Sequence, residues 1–248
     1  MTCVPLGRNE LMIPKIMHQM WIGPKSAPVN LMNTWKSQHP NFEYILWNEN
    51  EISKRSMQFE CADKIEEIED IVGKVDIMRW EILYKYGGIF IDADSICIRP
   101  LDEHIINCKA FATWENESVR PGLIAIGTMG FPPKHPLVKK IINRLKSRDV
   151  SYKKTGLHPW QVTGPRVLTE QYNQGIYSEF TIFPSHYFLP VHATGHTYKG
   201  DGIVYAYQAW GTTHNNYDSM NEISIESIQK KTIKNNHDPL YTAYFRSR

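Results

Sequence analysis

The chain has 248 residues, of which 42% are hydrophobic and 22% are charged, and its formal net charge is +2. This composition is that of an ordinary soluble globular protein, and the length allows one large α/β domain or two small ones. The small net charge argues against an extended nucleic-acid-binding surface, and no stretch reaches the ~20 apolar residues of a membrane span.

The cysteines and the N-terminal segment indicate the compartment. Cys3, Cys61, Cys97 and Cys108 form neither a C-x-x-C pair nor a dense pattern, so we expect reduced thiols and no zinc site. The N-terminal segment lacks the continuous apolar region of a signal peptide. We therefore expect a protein of a reducing compartment.

The N-terminal part of the chain alternates strand-like and helix-like segments. Residues 13–22 predict a strand that Gly23-Pro24 ends, and residues 41–49 predict a second strand. Residues 31–39 between them predict a short helix. Residues 54–71 predict an acidic helix whose carboxylates face solvent.

The next helix is predicted over residues 75–86, where apolar side chains recur at helical spacing. Asp76 is expected in its first turn, at the positive end of the helix dipole, and Gly87 is expected to end it. Asp76 and Arg79 are three residues apart and share one face. They form either a surface ion pair or a polar pair that points into a ligand cleft.

A pair of aspartates follows this helix. Residues 89–91 predict a short buried strand, and Asp92 and Asp94 follow at its carboxyl end, the edge at which open α/β sheets bind ligands. Two carboxylates at i and i+2 can approach one cation, and oxygen ligands suit Mg²⁺ or Mn²⁺. Such a cation keeps open positions for phosphate oxygens and can neutralise a pyrophosphate leaving group.

The second half of the chain is less regular. Residues 109–115 and 122–131 predict strands, and residues 136–146 predict a helix with one apolar face. The opposite face of this helix is basic, and it either faces solvent or contacts anionic lipid or a lipid-linked substrate. No linker divides the sequence, so we expect one domain.

The order of several segments resembles a known family. The segments are IPKIMHQMWIG, WKSQHPNFEYILWNE, VDIMRWEILYKYGGIFIDADSICIRPLD, PPKHP and VTGPRVLTE. They are similar to those of the DXD-containing glycosyltransferases related to the yeast initiating α-1,6-mannosyltransferase, a family that includes bacterial capsular-polysaccharide sugar transferases. Its catalytic core is similar to that of the clostridial glucosylating toxins. The resemblance runs from about Ile13 to His214.

This resemblance implies a GT-A type glycosyltransferase fold, with a single Rossmann-like nucleotide-binding domain and an irregular C-terminal acceptor half. It places nucleotide-sugar binding in residues 13–110, the acceptor part and closing loop in residues 111–220, and a tail in residues 221–248. It implies transfer of a hexose, with retention and with Mn²⁺ or Mg²⁺, from GDP-mannose or a UDP-sugar to a glycan, glycolipid or protein acceptor. Retention without a separate nucleophile is attributed in this fold to front-face attack within an ion pair.

The resemblance also implies roles for individual residues. The residues implied in donor binding are Trp21, Ile22, Asp76, Arg79, Phe90, Asp92 and Thr213. The residues implied in catalysis are Asp92, Asp94 and Arg79. The candidate metal ligands are Asp94, Asp92, Gln208 and His214.

The chain departs from the family pattern at several of these positions. Gln208 stands where His is usual, Thr213 where Ser is usual, and His214 where Trp is usual. Phe90 occupies a position that Tyr often holds, and an expected Asn is replaced near Gly127 or Thr128. The two aspartates are intact, whereas the third metal ligand and the contacts of the closing loop stay open.

Two other functions compete with this interpretation. A haloacid-dehalogenase-type phosphatase also places D-x-D after an apolar strand, but near its N-terminus and with a later Lys and acidic pair. A degenerate sugar-binding module would keep the fold without transfer. Many eukaryotic members of the family carry an N-terminal membrane anchor, which this sequence lacks, so we expect a cytoplasmic enzyme, or one that is peripheral at a membrane.

Overall fold

The structure is a computed structural model that describes residues 12–226, so most of the predicted tail at residues 221–248 lies outside the described residues. Its strands are β1 (Ile16–Met20), β2 (Glu43–Trp47), β3 (Gly88–Ile91), β4 (Ser95–Cys97), β5 (Ala110–Asn116), β6 (Arg120–Phe131), β7 (Phe180–Phe183) and β8 (Ala206–Gln208). Its α-helices are α1 (Val29–Gln38), α2 (Glu49–Lys54), α3 (Ala62–Glu67), α4 (Ile71–Tyr86), α5 (Glu103–Ile106), α6 (Pro136–Lys146), α7 (Tyr152–Thr155), α8 (Pro159–Val162), α9 (Pro165–Asn173) and α10 (Gly211–His214). Two 3₁₀ helices cover Ser185–Tyr187 and Tyr217–Glu222.

A six-stranded mixed sheet forms the centre, in the order β2-β1-β3-β6-β5-β7. Strands β2, β1 and β3 are parallel, β6 is antiparallel to β3 and β5, and β7 is parallel to β5. Strands β4 and β8 form a separate antiparallel pair. The carboxyl ends of β1, β3 and β5 therefore meet at one edge of the sheet, which is the edge that carries the aspartate pair.

Successive side chains of β3 point into two different core clusters, one on each face of the sheet. Ile89 and Ile91 pack into the cluster that contains Met17 and Trp35. Phe90 packs into the cluster on the other face, which α4, α6 and α9 cover. Successive strand residues point to opposite faces, so the apolar run before Asp92 is buried on both sides of the sheet. This burial fixes the backbone from which the two aspartates project.

The start of α4 corrects two predictions. Asp70 caps this helix by accepting a hydrogen bond from the Val72 amide at 2.9 Å, so the helix begins at Ile71 and not at residue 75. Asp76 lies more than one turn inside it, and the prediction that Asp76 occupies the first turn is wrong. An aspartate at the N-cap satisfies an amide that has no partner within the helix, and this contact sets the boundary.

The acidic helix predicted over residues 54–71 is also wrong in extent. Within this range the chain ends α2 at Lys54, forms only the short α3, and enters α4 at Ile71. The Glu81 carboxylate accepts hydrogen bonds from the backbone amides of Glu60 at 2.5 Å and of Cys61 at 2.8 Å. These contacts hold an irregular segment ahead of α3, and a long-range contact of this kind leaves no local pattern in the sequence.

The later elements lie close to their predicted positions. The segments predicted as strands at residues 109–115 and 122–131 form β5 and β6, and the helix predicted over residues 136–146 is α6. On its basic face, Lys139 and Lys146 both pair with Glu60, at 2.9 and 3.3 Å. None of the helices within residues 12–226 is long and apolar enough to cross a bilayer.

Candidate active site

A cavity of about 470 Å³ opens at the carboxyl ends of β1 and β3. Four segments line it: the end of β1 with the loop that follows, the first turns of α4, the end of β3, and residues 208–217. The sequence-predicted residues that line it are Trp21, Ile22, Asp76, Arg79, Phe90, Asp92, Asp94, Gln208 and Thr213. The structure therefore brings together nine of the ten predicted site residues, all except His214.

The turn before β3 depends on glycine. Gly87 has φ +63°, and its amide donates to the Leu83 carbonyl at 2.9 Å as α4 ends. A Cβ at this position would lie 2.6 Å from the Pro133 nitrogen. The predicted helix stop at Gly87 is confirmed, and close approach of a second backbone segment adds to the conformational requirement.

Asp92 is fixed through its backbone and its side chain. Its amide donates to the Gly127 carbonyl at 2.7 Å, and its carbonyl accepts from the Gln19 side chain at 3.0 Å. Its Oδ1 pairs with Arg79 Nη2 at 2.5 Å. A Cβ on Gly127 would lie 2.9 Å from Asp92 Oδ2, so the absence of a side chain there leaves room for this carboxylate.

Arg79 is held between β3 and β6. It donates to the Ile126 carbonyl as well as to Asp92, and its guanidinium lies 4.7 Å from the centre of the Phe90 ring. Its Nε is buried and has no hydrogen-bond partner among the described residues. Asp76 and Arg79 are both buried and both line the cavity, so they do not form a surface ion pair.

Asp76 is a second buried carboxyl beside the cavity. Thr163 Oγ1 donates to its Oδ2 at 3.1 Å, and a Cβ on Gly164 would lie 2.8 Å from the same oxygen. Burial raises the pKa of Asp76 to about 7, and the nearby charge of Arg79 opposes this rise. The cavity therefore contains a carboxyl that exchanges its proton near neutral pH.

Asp94 is placed by the pairing of β4 with β8. In this register Ser95 lies opposite Gln208, which brings the Gln208 amide between the two aspartates. Gln208 Nε2 lies 2.5 Å from Asp94 Oδ1 and 3.2 Å from Asp92 Oδ2, and the Gly211 amide donates to Asp94 Oδ2 at 2.8 Å. Burial, followed by the charge of Asp92, raises the pKa of Asp94.

Aromatic residues form part of the wall of the cavity. The rings of Trp21 and Tyr217 meet edge to face with centroids 5.2 Å apart, and Trp21 Nε1 donates to the Lys25 carbonyl at 2.6 Å. Lys25 Nζ lies 5.4 Å from the centre of the Tyr217 ring. Lys25 and Tyr217 were not predicted as site residues, because Tyr217 follows the last matched motif and Lys25 stands in a loop without a pattern.

The segment after β8 is bent at both ends of α10. Trp210 has φ +54° and Asn215 has φ +50°, and a bulky residue in this region costs roughly 1–2 kcal/mol. Trp210 and Thr213 line the cavity, whereas His214 does not. Residues 12–226 hold no group of three or more His, Cys, Asp or Glu side chains placed for a metal. The role of His214 as a ligand stays a prediction without geometric support.

Solved structures share this architecture. The PaToxG glycosyltransferase has a TM-score of 0.55 at 16% identity and covers 66% of this chain and 70% of its own. The ligand-free glycosyltransferase domain of the YGT toxin has a TM-score of 0.52 at 9% identity and covers 89% of both chains. The fold is therefore that of a GT-A glycosyltransferase, as predicted, and not that of a haloacid-dehalogenase-type phosphatase.

Sequence comparison shows which proteins this chain is similar to. Residues 27–112 match the family described as "Glycosyltransferase sugar-binding region containing DXD motif". Inositol phosphoceramide mannosyltransferase 3 of Schizosaccharomyces pombe is 30% identical over 166 residues, which are 63% of this chain and 44% of the relative. Mannosyl phosphorylinositol ceramide synthase CSH1 of Saccharomyces cerevisiae is 30% identical over 179 residues, 66% of this chain and 43% of the relative.

Residues 27–112 are thus similar to the sugar-binding region of the DXD-containing glycosyltransferases, and Asp92 and Asp94 are the D-x-D pair within this region. The chain spans less than half of the length of the two yeast relatives. The shared region contains the aspartate pair and the helix that carries Asp76 and Arg79. The family and the fold thus agree with the resemblance that the sequence motifs indicate.

Proposed function

We propose that the protein transfers a hexose from a nucleotide-sugar to a glycan or glycolipid hydroxyl with the help of a bound divalent cation. The observation that carries this proposal is the convergence of Asp92, Asp94 and Gln208 on one cavity. The cavity also has an aromatic wall that suits a nucleobase. A protein that only needed a stable core would not keep the buried carboxylate of Asp94 next to the partly exposed carboxylate of Asp92.

The side chains present suit Mn²⁺ or Mg²⁺. Asp92 and Asp94 supply carboxylate oxygens, and both face the position that the Gln208 amide nitrogen occupies. Turning this amide about its last bond exchanges nitrogen for oxygen and presents Oε1 to the same position. Two carboxylates and an amide oxygen form a hard donor set that leaves coordination positions for water and phosphate.

A cation bound there would supply Lewis-acid stabilisation of the departing diphosphate. The protein residues prepare this step. Arg79 orients Asp92 through its 2.5 Å ion pair, and the Gly211 amide orients Asp94. Because these groups are held before the substrate binds, little reorganisation is needed as charge develops on the leaving group.

The names of the relatives favour one donor and one class of acceptor. The S. pombe relative is named as a mannosyltransferase of inositol phosphoceramide, which favours GDP-mannose as donor and a hydroxylated lipid headgroup as acceptor. UDP-sugars are the alternative donors. We keep retention of configuration as part of the proposal, because the family implies it.

A turnover assay with a panel of nucleotide-sugars tests this function. The wild-type protein should turn over GDP-mannose only with Mn²⁺ or Mg²⁺ present, and chelation should stop it. Asp94→Asn should lower turnover by on the order of 100-fold or more. Asp63→Asn is the matched control, because Asp63 is exposed and lies outside the cavity.

Three results would contradict the proposal. Undiminished turnover in chelator would remove the cation from the mechanism, and full activity of Asp94→Asn would remove Asp94. Tight binding of a nucleotide-sugar without any turnover, across a panel of glycan and glycolipid acceptors, would favour the sugar-binding module instead. Gln208 is the feature that makes this alternative worth testing, since its amide satisfies both carboxylates without a cation.

A further inference from the structure

A second polar cluster lies beside the donor cavity and has no part in the site described above. Glu115 stands at the carboxyl end of β5 and Arg120 at the start of β6. Arg120 Nε lies 3.4 Å from Glu115 Oε1, and its guanidinium lies 4.6 Å from the centre of the Trp160 ring. Glu115 is 7% exposed, whereas Trp160 is 37% exposed, so a buried carboxylate is linked to an exposed aromatic surface.

The Glu115 carboxylate is oriented by His192. The Thr194 amide donates to His192 Nδ1 at 3.2 Å, so in the neutral ring Nδ1 accepts and Nε2 carries the proton. Nε2 then donates to Glu115 Oε1 at 3.2 Å. His192 is itself buried, and such a support fixes the position of the carboxylate that it touches.

The cluster lies next to two residues that line the donor cavity, Trp210 and Asp76. On one side, the ring of His192 meets the ring of Trp210 with centroids 5.3 Å apart, and Trp210 lines the cavity. On the other side, a Cβ on Gly164 would lie 3.2 Å from Trp160 Cα and 2.8 Å from Asp76 Oδ2. The cluster is therefore adjacent to the donor cavity at both Trp210 and Asp76.

We infer that Glu115, Arg120 and Trp160 form the acceptor subsite and bind a hydroxylated ring, either a sugar or a cyclitol. This inference rests on the proposed transferase function, which requires a second substrate next to the donor. A carboxylate accepts hydrogen bonds from ring hydroxyls and a guanidinium donates to them. The indole of Trp160 offers an apolar surface for the C–H face of the same ring. His192 is a positioning residue, which acts through Glu115.

Acceptor kinetics with two soluble probes, methyl α-D-mannopyranoside and myo-inositol 1-phosphate, test this inference. Arg120→Ala and Trp160→Ala should each raise the acceptor KM by about tenfold, because each removes one interaction with the acceptor in a partly desolvated site. The Kd of the donor should change much less. Trp160→Phe should recover most of the affinity, because it keeps an aromatic face.

Arg166→Ala is the matched control. Arg166 also forms an Arg–Glu pair, with Glu170 at 2.9 Å, but on α9 away from the cavity, and its loss should leave the acceptor KM unchanged. Glu115→Gln removes the charge of the buried carboxylate with the smallest change of shape. The thermal unfolding midpoint of this variant shows whether it folds.

The outcomes separate this inference from the proposed function. If the wild-type protein turns over no nucleotide-sugar, the proposed transferase function fails. If turnover occurs but Arg120→Ala and Trp160→Ala keep the wild-type acceptor KM, the subsite is wrong. An equal rise in the donor Kd would also overturn it, as would the failure of both probes to accept sugar or to compete for it.

Discussion

Asp76 shows how one buried carboxyl links the cavity to the stability of the fold. It lies among apolar residues of α4 with Thr163 and Arg79 nearby, and burial raises its pKa from 3.8 to about 7. The folded state therefore binds more protons than the unfolded state between these two pH values. Stability falls as the pH rises through this window, and the effect is complete above it.

Asp76→Asn removes this titration and nearly preserves the shape of the side chain. The free energy of unfolding of the variant, relative to wild type, should therefore rise from pH 5 to pH 8. Urea denaturation at several pH values, in chelator so that no cation contributes, measures this difference. A difference that stays constant with pH would show that the pKa of Asp76 is the same in the folded and unfolded states.

At this scale, sequence motifs identified the residues of the cavity but not their partners. Asp92, Asp94, Asp76 and Arg79 stand within one continuous block of sequence, but their spacing left the role of Asp76 and Arg79 open, and the family resemblance implied their place in a donor site. The ion pair of Arg79 with Asp92 was not predicted, because the sequence suggested Asp76 as its partner. Glu115, Arg120, Trp160 and His192 were missed altogether, since they come from separate segments and match no motif.

The connection between α4 and β3 is the element on which the aspartate pair depends. Gly87 combines a left-handed backbone with a Cβ position only 2.6 Å from the Pro133 nitrogen. Gly156 at the end of α7 has a similar φ of +66°, but nothing lies within 4 Å of its Cβ position. Substitution of the two glycines therefore distinguishes the cost of backbone strain, which both positions share, from the cost of steric overlap, which arises only at Gly87.

Gly156→Ala should cost roughly 1–2 kcal/mol of unfolding free energy, the strain of a left-handed residue. Gly87→Ala should cost clearly more, because the overlap with Pro133 displaces the end of α4 or the loop before α6. Chemical denaturation of both variants measures the two values. Equal losses would show that close packing adds nothing to the requirement for glycine at residue 87.

Helix boundaries were predicted correctly where the residues next to the boundary determine it. α6 has its predicted bounds because His135 and Pro136 open a strongly amphipathic segment. The start of α4 was misjudged because Asp70, its cap, lies within an acidic run that was assigned to another helix. The segment around Glu60 and Cys61 is irregular because the Glu81 carboxylate, some 20 residues later, accepts hydrogen bonds from the amides of these two residues.

The whole molecule brings the two ends of the described chain to one cavity. Trp21 follows the first strand and Tyr217 lies near the end of the described residues, yet their rings are in contact. Strand β8 brings Gln208 to Asp94 across 114 residues. Periodicity could not predict this pairing, and only the family resemblance pointed to Gln208.

We expect a cation at Asp92, Asp94 and Gln208 to control binding of the nucleotide. Calorimetric titration of GDP-mannose with Mn²⁺ and in chelator, for the wild-type protein, Asp94→Asn and Gln208→Leu, measures this dependence. We expect tight binding by wild type only with Mn²⁺, no dependence on Mn²⁺ in Asp94→Asn, and weakened dependence in Gln208→Leu. Equal wild-type affinity for GDP-mannose with Mn²⁺ and in chelator would show that no cation at this site takes part in binding the nucleotide.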